Sequence, residues 1–272
     1  MISVITPCKN IVSDGREPFF RKMFTSLFNQ TYRDFEHIVI DGASTDGTLD
    51  LLQEYKHKRC INTLVSKKDR NVHEAMNRGI RLAQGKFIHV MNSDNYFPDE
   101  NFFSISLQAI KDNHADFTHA DRSIETREGK FVGIKRGDER SAFFRMPFRY
   151  QTMLIRKGVY DEIGPFDEKY DIAADYKFML EMLLSGKKGL YIPKVYICSL
   201  DGGITSDRPK VIREVTQVLY ECYGKQYGLT KDDCQDIYLR KISPDLLSKI
   251  NVHIPDERIK ESLNFCYELS LH

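Results

Sequence analysis

Several absences narrow the field before any motif is read. The six cysteines, Cys8, Cys60, Cys198, Cys222, Cys234 and Cys266, form no Cys-x-x-Cys pair, which argues against a zinc site of the usual spacing. No apolar run approaches the ~20 residues of a membrane-spanning helix. GxxxxGK[ST] is missing, and no GxGxxG follows the first apolar run, so kinase, GTPase and dehydrogenase readings are weakened. Neither sign of charge dominates: 40 Lys+Arg stand against 39 Asp+Glu, a formal net charge of +1. No global field points to nucleic acid, and the basic run Lys56-His57-Lys58-Arg59 reads as solvated surface. There is no internal repeat or low-complexity segment. No signal peptide is read at "MISVITP". The expectation is a reducing, cytoplasmic setting with free thiols, leaving open contact with the inner face of a membrane.

What is present is a globular composition, 41% hydrophobic and 29% charged over 272 residues, enough for one large domain or a domain with a small appendage. "ISVITP" reads as a buried strand. In "PFFRKMFTSLFNQTY" apolar residues recur at Phe19, Phe20, Met23, Phe24, Leu27 and Phe28, a helical period, with Pro18 suited to the first turn. "FEHIVIDGASTDGT" is strand then turn, "TLDLLQEYKH" helix, "INTLVSKKD" strand then loop, "VHEAMNRGIRLAQG" helix with Gly85 as its expected cap, and "KFIHVMN" strand. This βαβαβαβ alternation predicts a mostly parallel sheet with helices on both faces. The texture then becomes mixed. Two strands flank a polar turn at Arg127 to Lys130, "YQTMLIRKGVYDEIG" is strand into short helix, "DYKFMLEMLLSG" is a helix ending at Gly186, and "KKGLYIPKVYICSL" holds another strand. From about Asp207 the pattern is helical, with a Thr-x-x-Asp cap signal at Thr230.

In such sheets ligands bind at the carboxyl ends of the strands, and there the polar residues converge. Strand one ends at Thr6-Pro7, strand two at Asp41-Gly42, strand three leads to Lys68-Asp69-Arg70, and strand four ends in Asn92-Ser93-Asp94-Asn95. A hard divalent cation takes oxygen ligands and fills its shell from phosphates and water, so an acid such as Asp94 can hold it against a diphosphate. The same four residues are also ordinary turn formers. Asp41 can accept a hydrogen bond from a nucleobase imide, while Asp46 or Thr48 is expected to cap the next helix. Arg70 can meet a phosphate in a bidentate contact. His73 and Asn77 lie one helical turn apart with Glu74 beside them. Asp171 and Asp175 precede a helix; Asp175 reads either as an N-cap or as a base that takes a proton from a hydroxyl.

Together, "SVITPCKN", "VIDGASTDGT", "KDRNVHEAMNRGIRLAQGKFIHVMNSDN" and "GPFDEKYDIAADYKFML" resemble the inverting family 2 glycosyltransferases of GT-A fold, in particular bacterial enzymes of cell-surface polysaccharide assembly. The resemblance spans roughly residues 1 to 200. It implies an α/β, Rossmann-like sheet flanked by helices and a nucleotide-sugar donor, UDP-linked or similar. It also implies Mn²⁺ or Mg²⁺, a glycan or lipid-linked acceptor, and no nucleic-acid partner. It assigns Asp41 to the base, Thr6 and Pro7 to the nucleotide pocket through their backbone, and Asn92 and Ser93 to the donor; Asp69, Arg70 and Asn77 are also expected to bind the nucleotide sugar. Asp94 becomes the metal-binding acid of a DxD-type motif, and Asp175 the catalytic base.

The sequence departs from that pattern where Asn92 replaces the first acid and Asn95 a further one. His73-Glu74 stands where relatives carry Tyr-Asp, and neither receives a role. The expected division is a glycosyltransferase domain over 1–206, with a nucleotide half (1–95) and an acceptor half (96–206), and a helical extension over 207–272. The extension is read as packing or self-association; lipid contact through Tyr220, Tyr223 and Tyr227 near Lys225 is the other reading. Two rival functions are a catalytically silent nucleotide-sugar-binding protein, motivated by Asn92, and a sugar nucleotidyltransferase. The second is disfavoured because the loop "CKNIVSDGREP" carries one glycine rather than a Gly-rich basic loop.

Overall fold

The computed structural model describes residues 1–201 and 207–271. The expected domain boundary at residue 206 falls outside the described residues. Backbone contacts group the chain into two compact units.

The first unit holds Met1–Gly137, Arg149–Glu168 and Gly186–Asp201. It contains strands β1 (Ile2–Cys8), β2 (Phe35–Asp41), β3 (Thr63–Ser66), β4 (Phe87–Val90), β5 (Phe117–Glu125), β6 (Phe131–Lys135), β7 (Met153–Arg156) and β8 (Gly189–Leu200). Its helices are α1 (Glu17–Phe28), α2 (Thr48–His57), α3 (Val72–Leu82), α4 (Phe102–Asn113) and α5 (Lys157–Ile163). Strands run in the order β3-β2-β1-β4-β7-β5-β6, with β8 also paired to β5. β1 to β4 are mutually parallel, as the alternation predicts. β7 enters antiparallel between β4 and β5, and β5 and β6 form the expected antiparallel hairpin. Helix α4 is an addition, since no helix was expected there from the sequence.

β1 is buried along its whole length, and its side chains alternate between faces. Ile2, Val4 and Cys8 join one apolar cluster with Phe20, Met23, Phe24 and Leu27 of α1 and with Phe102 and Phe103 of α4. The other face packs on α3, so closely that a Cβ on Gly79 would lie 2.4 Å from Ile5 Cγ2. Gly85 is not the helix cap that was expected. Helix α3 ends at Leu82 with Ala83 already extended, and Gly85 instead lets the chain approach β1, where a Cβ would sit 2.7 Å from the Ser3 amide nitrogen.

The second unit holds Asp138–Phe148, Lys169–Ser185 and the described chain from Asp207 onward. It is built from α6 (Ala174–Leu184), α7 (Arg208–Leu219), α8 (Lys231–Leu239), α9 (Pro244–His253) and α10 (Glu257–Ser270). α7 runs on into a π-helical turn over Tyr220–Gly224. The capping box of Thr230 and Asp233 forms as its sequence signal predicts. Tyr223 is fully buried, and its hydroxyl donates to the Phe143 carbonyl at 2.6 Å. That corrects the lipid-contact reading for this tyrosine: a ring committed to the core cannot face a bilayer.

Candidate active site

The parallel register sets Cys8 beside Asp41 and Asp41 beside Ser66, so three strand ends share one edge. On the other side of β1 the ladder stops at Ile5, whose carbonyl accepts from the Met91 amide at 2.9 Å. Beyond it, Thr6 and Pro7 pair only with β2, and their backbone on the β4 side is released from the sheet. The Thr6 side chain turns inward to the His37 ring, 2.9 Å away. Burial pushes His37 down to about 4, so this pair is neutral near neutral pH.

Asp41 is fully buried. Its carboxylate accepts from the Ser44 amide at 3.1 Å, from the Ser44 hydroxyl, and from the Ser66 hydroxyl at 2.6 Å. A carboxylate offers about four lone-pair sites, so roughly one remains for a ligand N–H. The turn below is stitched to the loop after β1. Asn10 accepts from the Thr45 amide at 3.1 Å, and the Ile11 amide donates to Thr48 Oγ1 at 2.8 Å. The expected caps are displaced, because Gly47, at φ +87°, is the N-cap of α2. Asp46 instead accepts from the Ser13 and Thr48 amides at 2.6 and 3.1 Å. Burial pushes the Asp46 carboxyl up, but the Ser13 and Thr48 hydrogen bonds outweigh it and hold the acid below the usual range.

At the end of β4 the Asn92-Ser93-Asp94-Asn95 turn closes with the Asn95 amide donating to the Asn92 carbonyl at 3.1 Å. Tyr150 donates to Asn92 Oδ1 at 2.8 Å. Arg16 reaches across from the loop after β1 to Ser93 Oγ at 3.4 Å, while its other terminal nitrogen holds Asp14 and the Lys9 carbonyl, each at 2.8 Å. Asp94 is half-buried. Burial pushes its carboxyl up, opposed by the positive charges of Arg16 and Arg127. Asn95 Oδ1 is buried and accepts no hydrogen bond from the described residues. The turn is thus an oxygen-rich donor set, with an orphaned oxygen one residue from an under-compensated acid. A hard cation suits those groups. Among the described residues no three His, Cys, Asp or Glu side chains gather into a metal cage, so phosphate and water oxygens would have to complete the shell.

The remaining residues expected at the donor are occupied otherwise. Asp69 is buried against Arg78 at 2.6 Å, and burial raises its carboxyl, with Arg78 in opposition. Arg70 is exposed and paired to Glu74 and Glu168. Asn77 spends its amide on the Phe166 backbone, at 2.8 and 2.9 Å, and on Glu168 at 3.0 Å. The structure therefore brings Thr6, Pro7, Asp41, Asn92, Ser93 and Asp94 to one edge, and makes Asn77 a brace between α3 and the chain at Phe166.

Asp175 belongs to the second unit. It is not the N-cap; Ala173 is. Asp175 is buried in the first turn of α6, where Oδ1 accepts from the Tyr176 amide at 2.8 Å. Glu214 of α7 instead holds the chain entering the helix: its carboxylate accepts from the amides of Asp171, Ile172 and the N-cap Ala173 at 3.3, 2.8 and 3.0 Å. Neither Glu214 nor Arg16 was identified from the sequence. Each is a single charged residue acting 40 or more positions away from its own place in the chain, and no local pattern marks it.

A family model described as "Glycosyl transferase family 2" matches residues 3–166. A PGL/p-HBAD biosynthesis glycosyltransferase of Mycobacterium bovis is 27% identical over 183 residues, 65% of this chain and 68% of that protein. Among solved structures, TarS of S. aureus aligns with 98% of this chain at a TM-score of 0.64 and 17% identity; the chain spans about half (52%) of that TarS chain. A TarS 1–349 complex with UDP-GlcNAc aligns with a TM-score of 0.64 and 17% identity, covering 99% of this chain and 88% of that one. The mannosyltransferase PcManGT of Pyrobaculum calidifontis, in complex with GDP-Man and Mn²⁺, aligns at a TM-score of 0.59 and 18% identity over 99% of this chain and 74% of that one. With its mixed sheet and flanking helices, the chain is a glycosyltransferase of GT-A fold and belongs to glycosyl transferase family 2.

Proposed function

We propose that the chain transfers a sugar from a nucleotide-diphosphate donor, UDP-linked, to a hydroxyl of a glycan or lipid-linked acceptor, with inversion, in cell-surface polysaccharide synthesis. The observation that carries this reading is the placement of two buried or half-buried acids, Asp41 and Asp94, on one edge of the parallel sheet. Asp41 ends β2 and Asp94 lies in the turn after β4, the two strands that flank β1, an arrangement that suits a base at one end and a diphosphate at the other. UDP-GlcNAc in the TarS complex supports the donor class, and Mn²⁺ in PcManGT supports a cation.

In this reading Asp41 receives the imide N–H of the base, and the freed Thr6-Pro7 backbone lines the nucleotide. Asp94, with Asn92 and Asn95 beside it, would hold Mn²⁺ or Mg²⁺, which when bound offsets the charge developing on the leaving diphosphate. Ser93 Oγ and Arg16 lie at the same turn, and Arg16 adds a fixed positive charge there. Asp69 and Asn77 support the donor loop through Arg78 and Phe166, and Arg70 can exchange its surface carboxylates for phosphate. Asp175 is the base: it takes the proton of the acceptor hydroxyl as that oxygen attacks the anomeric carbon from the face opposite the diphosphate. One such displacement inverts the centre. Glu214 is a positioning residue that fixes the turn carrying Asp175.

Thermal shift with UDP, GDP, CDP and dTDP, each with and without Mn²⁺, tests the donor reading. Preferential stabilisation by UDP, increased by Mn²⁺, is expected through binding linkage; equal or absent shifts for all four diphosphates argue against it. For the base, Asp175→Asn is expected to keep the UDP shift while transfer falls by about 10²–10⁴-fold. Near-normal transfer by that variant overturns the assignment.

A further inference from the structure

The β5–β6 hairpin carries features that glycosyl transfer does not use. β6 ends the strand order and pairs with β5. Its Phe131, Val132 and Ile134 are 62, 51 and 49% exposed. A register shift between Ile124 and Glu125 pairs Phe131 with Glu125 and Ile134 with Ser123; these two β5 residues share a face, so Phe131 and Ile134 stand in water on one face, with Val132 exposed beside them. An apolar strand left at a sheet edge invites association. Around it lie Arg127, Lys130, Lys135 and Arg136, all exposed, with Glu128 the single exposed acid of the turn and Glu125, opposite Phe131, paired to Lys22 at 3.2 Å. Residues 126–136 thus carry +3 in a chain whose total is +1. The turn is tied to the candidate site, because Arg127 donates to the Asp14 carbonyl at 3.0 Å, in the loop from which Arg16 reaches Ser93.

We propose that this hairpin docks the chain on an anionic lipid bilayer, with Phe131, Val132 and Ile134 entering the interface and the basic residues meeting lipid phosphates. A bilayer surface satisfies both halves of the pattern, apolar area and positive charge. A hydrated polyanion would use the charges and leave three apolar side chains in water. A second copy of the hairpin would cover the apolar residues and oppose +3 with +3. Docking here brings the loop between β1 and α1 toward the membrane. Its value for a lipid-linked acceptor rests on the proposed function, whereas the binding itself does not.

The test is co-sedimentation of the full chain with phosphatidylcholine vesicles, with and without phosphatidylglycerol, and no sugar nucleotide present. Binding only to the anionic vesicles, weakened by salt, is expected. Combined Phe131→Ser, Val132→Ser and Ile134→Ser should weaken it by about tenfold or more. Combined Lys130→Glu and Lys135→Glu should weaken it similarly and blunt the salt dependence. All five positions are exposed, so the thermal midpoint and the UDP shift should be unchanged in both variants, which separates failed docking from a failed donor site. Wild-type protein left in the supernatant, or variants that sediment like wild type, overturns the proposal. So does a dimer in light scattering that the serine variant converts to monomer, since a second copy would then cover the face. Capture by dextran sulfate that survives the serine changes, without vesicle binding, would assign the patch to a polyanion instead.

Discussion

Asp41 closes β2 and Asp94 sits in the turn beyond β4, the strands on either side of β1, yet the protein treats the two carboxylates in opposite ways. Asp41 is surrounded by its own chain: two hydroxyls and an amide fill most of its acceptor sites. Its position is fixed before any ligand arrives, which suits a group that reads one N–H of a base. Asp94 is left with its charge poorly compensated. Burial raises its carboxyl even though Arg16 and Arg127 pull the other way, and the neighbouring Asn95 oxygen is orphaned. Buried polar groups without partners are uncommon because they cost free energy. In the proposed function the partner missing at this turn is a cation brought with the donor. In that reading one turn recognises a base and the other is completed by a cation.

The contrast can be broken by experiment. The largest effect is expected from Asp94→Ala, which should lower transfer by about 10³-fold or more and remove the Mn²⁺ increment in the UDP thermal shift. If the increment survives, the cation is held elsewhere. Asp41→Ala should weaken UDP by roughly 10–100-fold, the worth of a hydrogen bond to a charged group, yet leave the Mn²⁺ increment in place. Loss of both together would mean that the two turns are not separable. Asp94→Asn sharpens the comparison through stability alone. A carboxyl raised above its ordinary value of 3.8 binds protons more readily folded than unfolded. Its charge therefore costs stability as pH rises through 3.8 to the raised value, and the cost persists above it. The ligand-free Asp94→Asn variant should thus melt about 2 °C higher at neutral pH, with no gain at pH well below 3.8; a lower midpoint at neutral pH contradicts this account. Smallest of all, Arg16→Ala should move the Asp94 titration further up, read by carboxyl NMR across a pH series.

The first four strands and three helices were legible because each follows a local period. β1 is mostly apolar since it is buried along its length and covered on both faces, and α1 repeats phenylalanine at helical spacing because one face meets that cover. The residues at the strand ends were legible for the same reason: once strands are known to be parallel, their carboxyl ends must share an edge. The caps were read less well. Asp46, Thr48, Gly85 and Asp175 all had cap-like sequence neighbourhoods. In the structure Thr48 is taken by the Ile11 amide, Gly85 by the approach to Ser3, and the chain entering α6 by Glu214. Each local preference lost to a partner from another part of the chain. Asn77 shows this most clearly, its amide being spent on a backbone 89 residues away.

By itself the sequence determined the alternation of strand and helix, the edge at which a ligand belongs, and the types of residue delivered there. These follow from side-chain periodicity and from the rule that parallel strands end together, both of which are properties of short stretches. Only the tertiary structure decided which of the delivered acids is satisfied and which is left open. It also decided that Arg16 stands at the Ser93 turn, that Glu214 holds the turn of Asp175, and that the β5–β6 hairpin keeps its apolar residues in water. These outcomes depend on hydrogen bonds, charges and cover supplied from distant positions, whose meeting is fixed by chain closure and packing rather than by any pattern written along the chain.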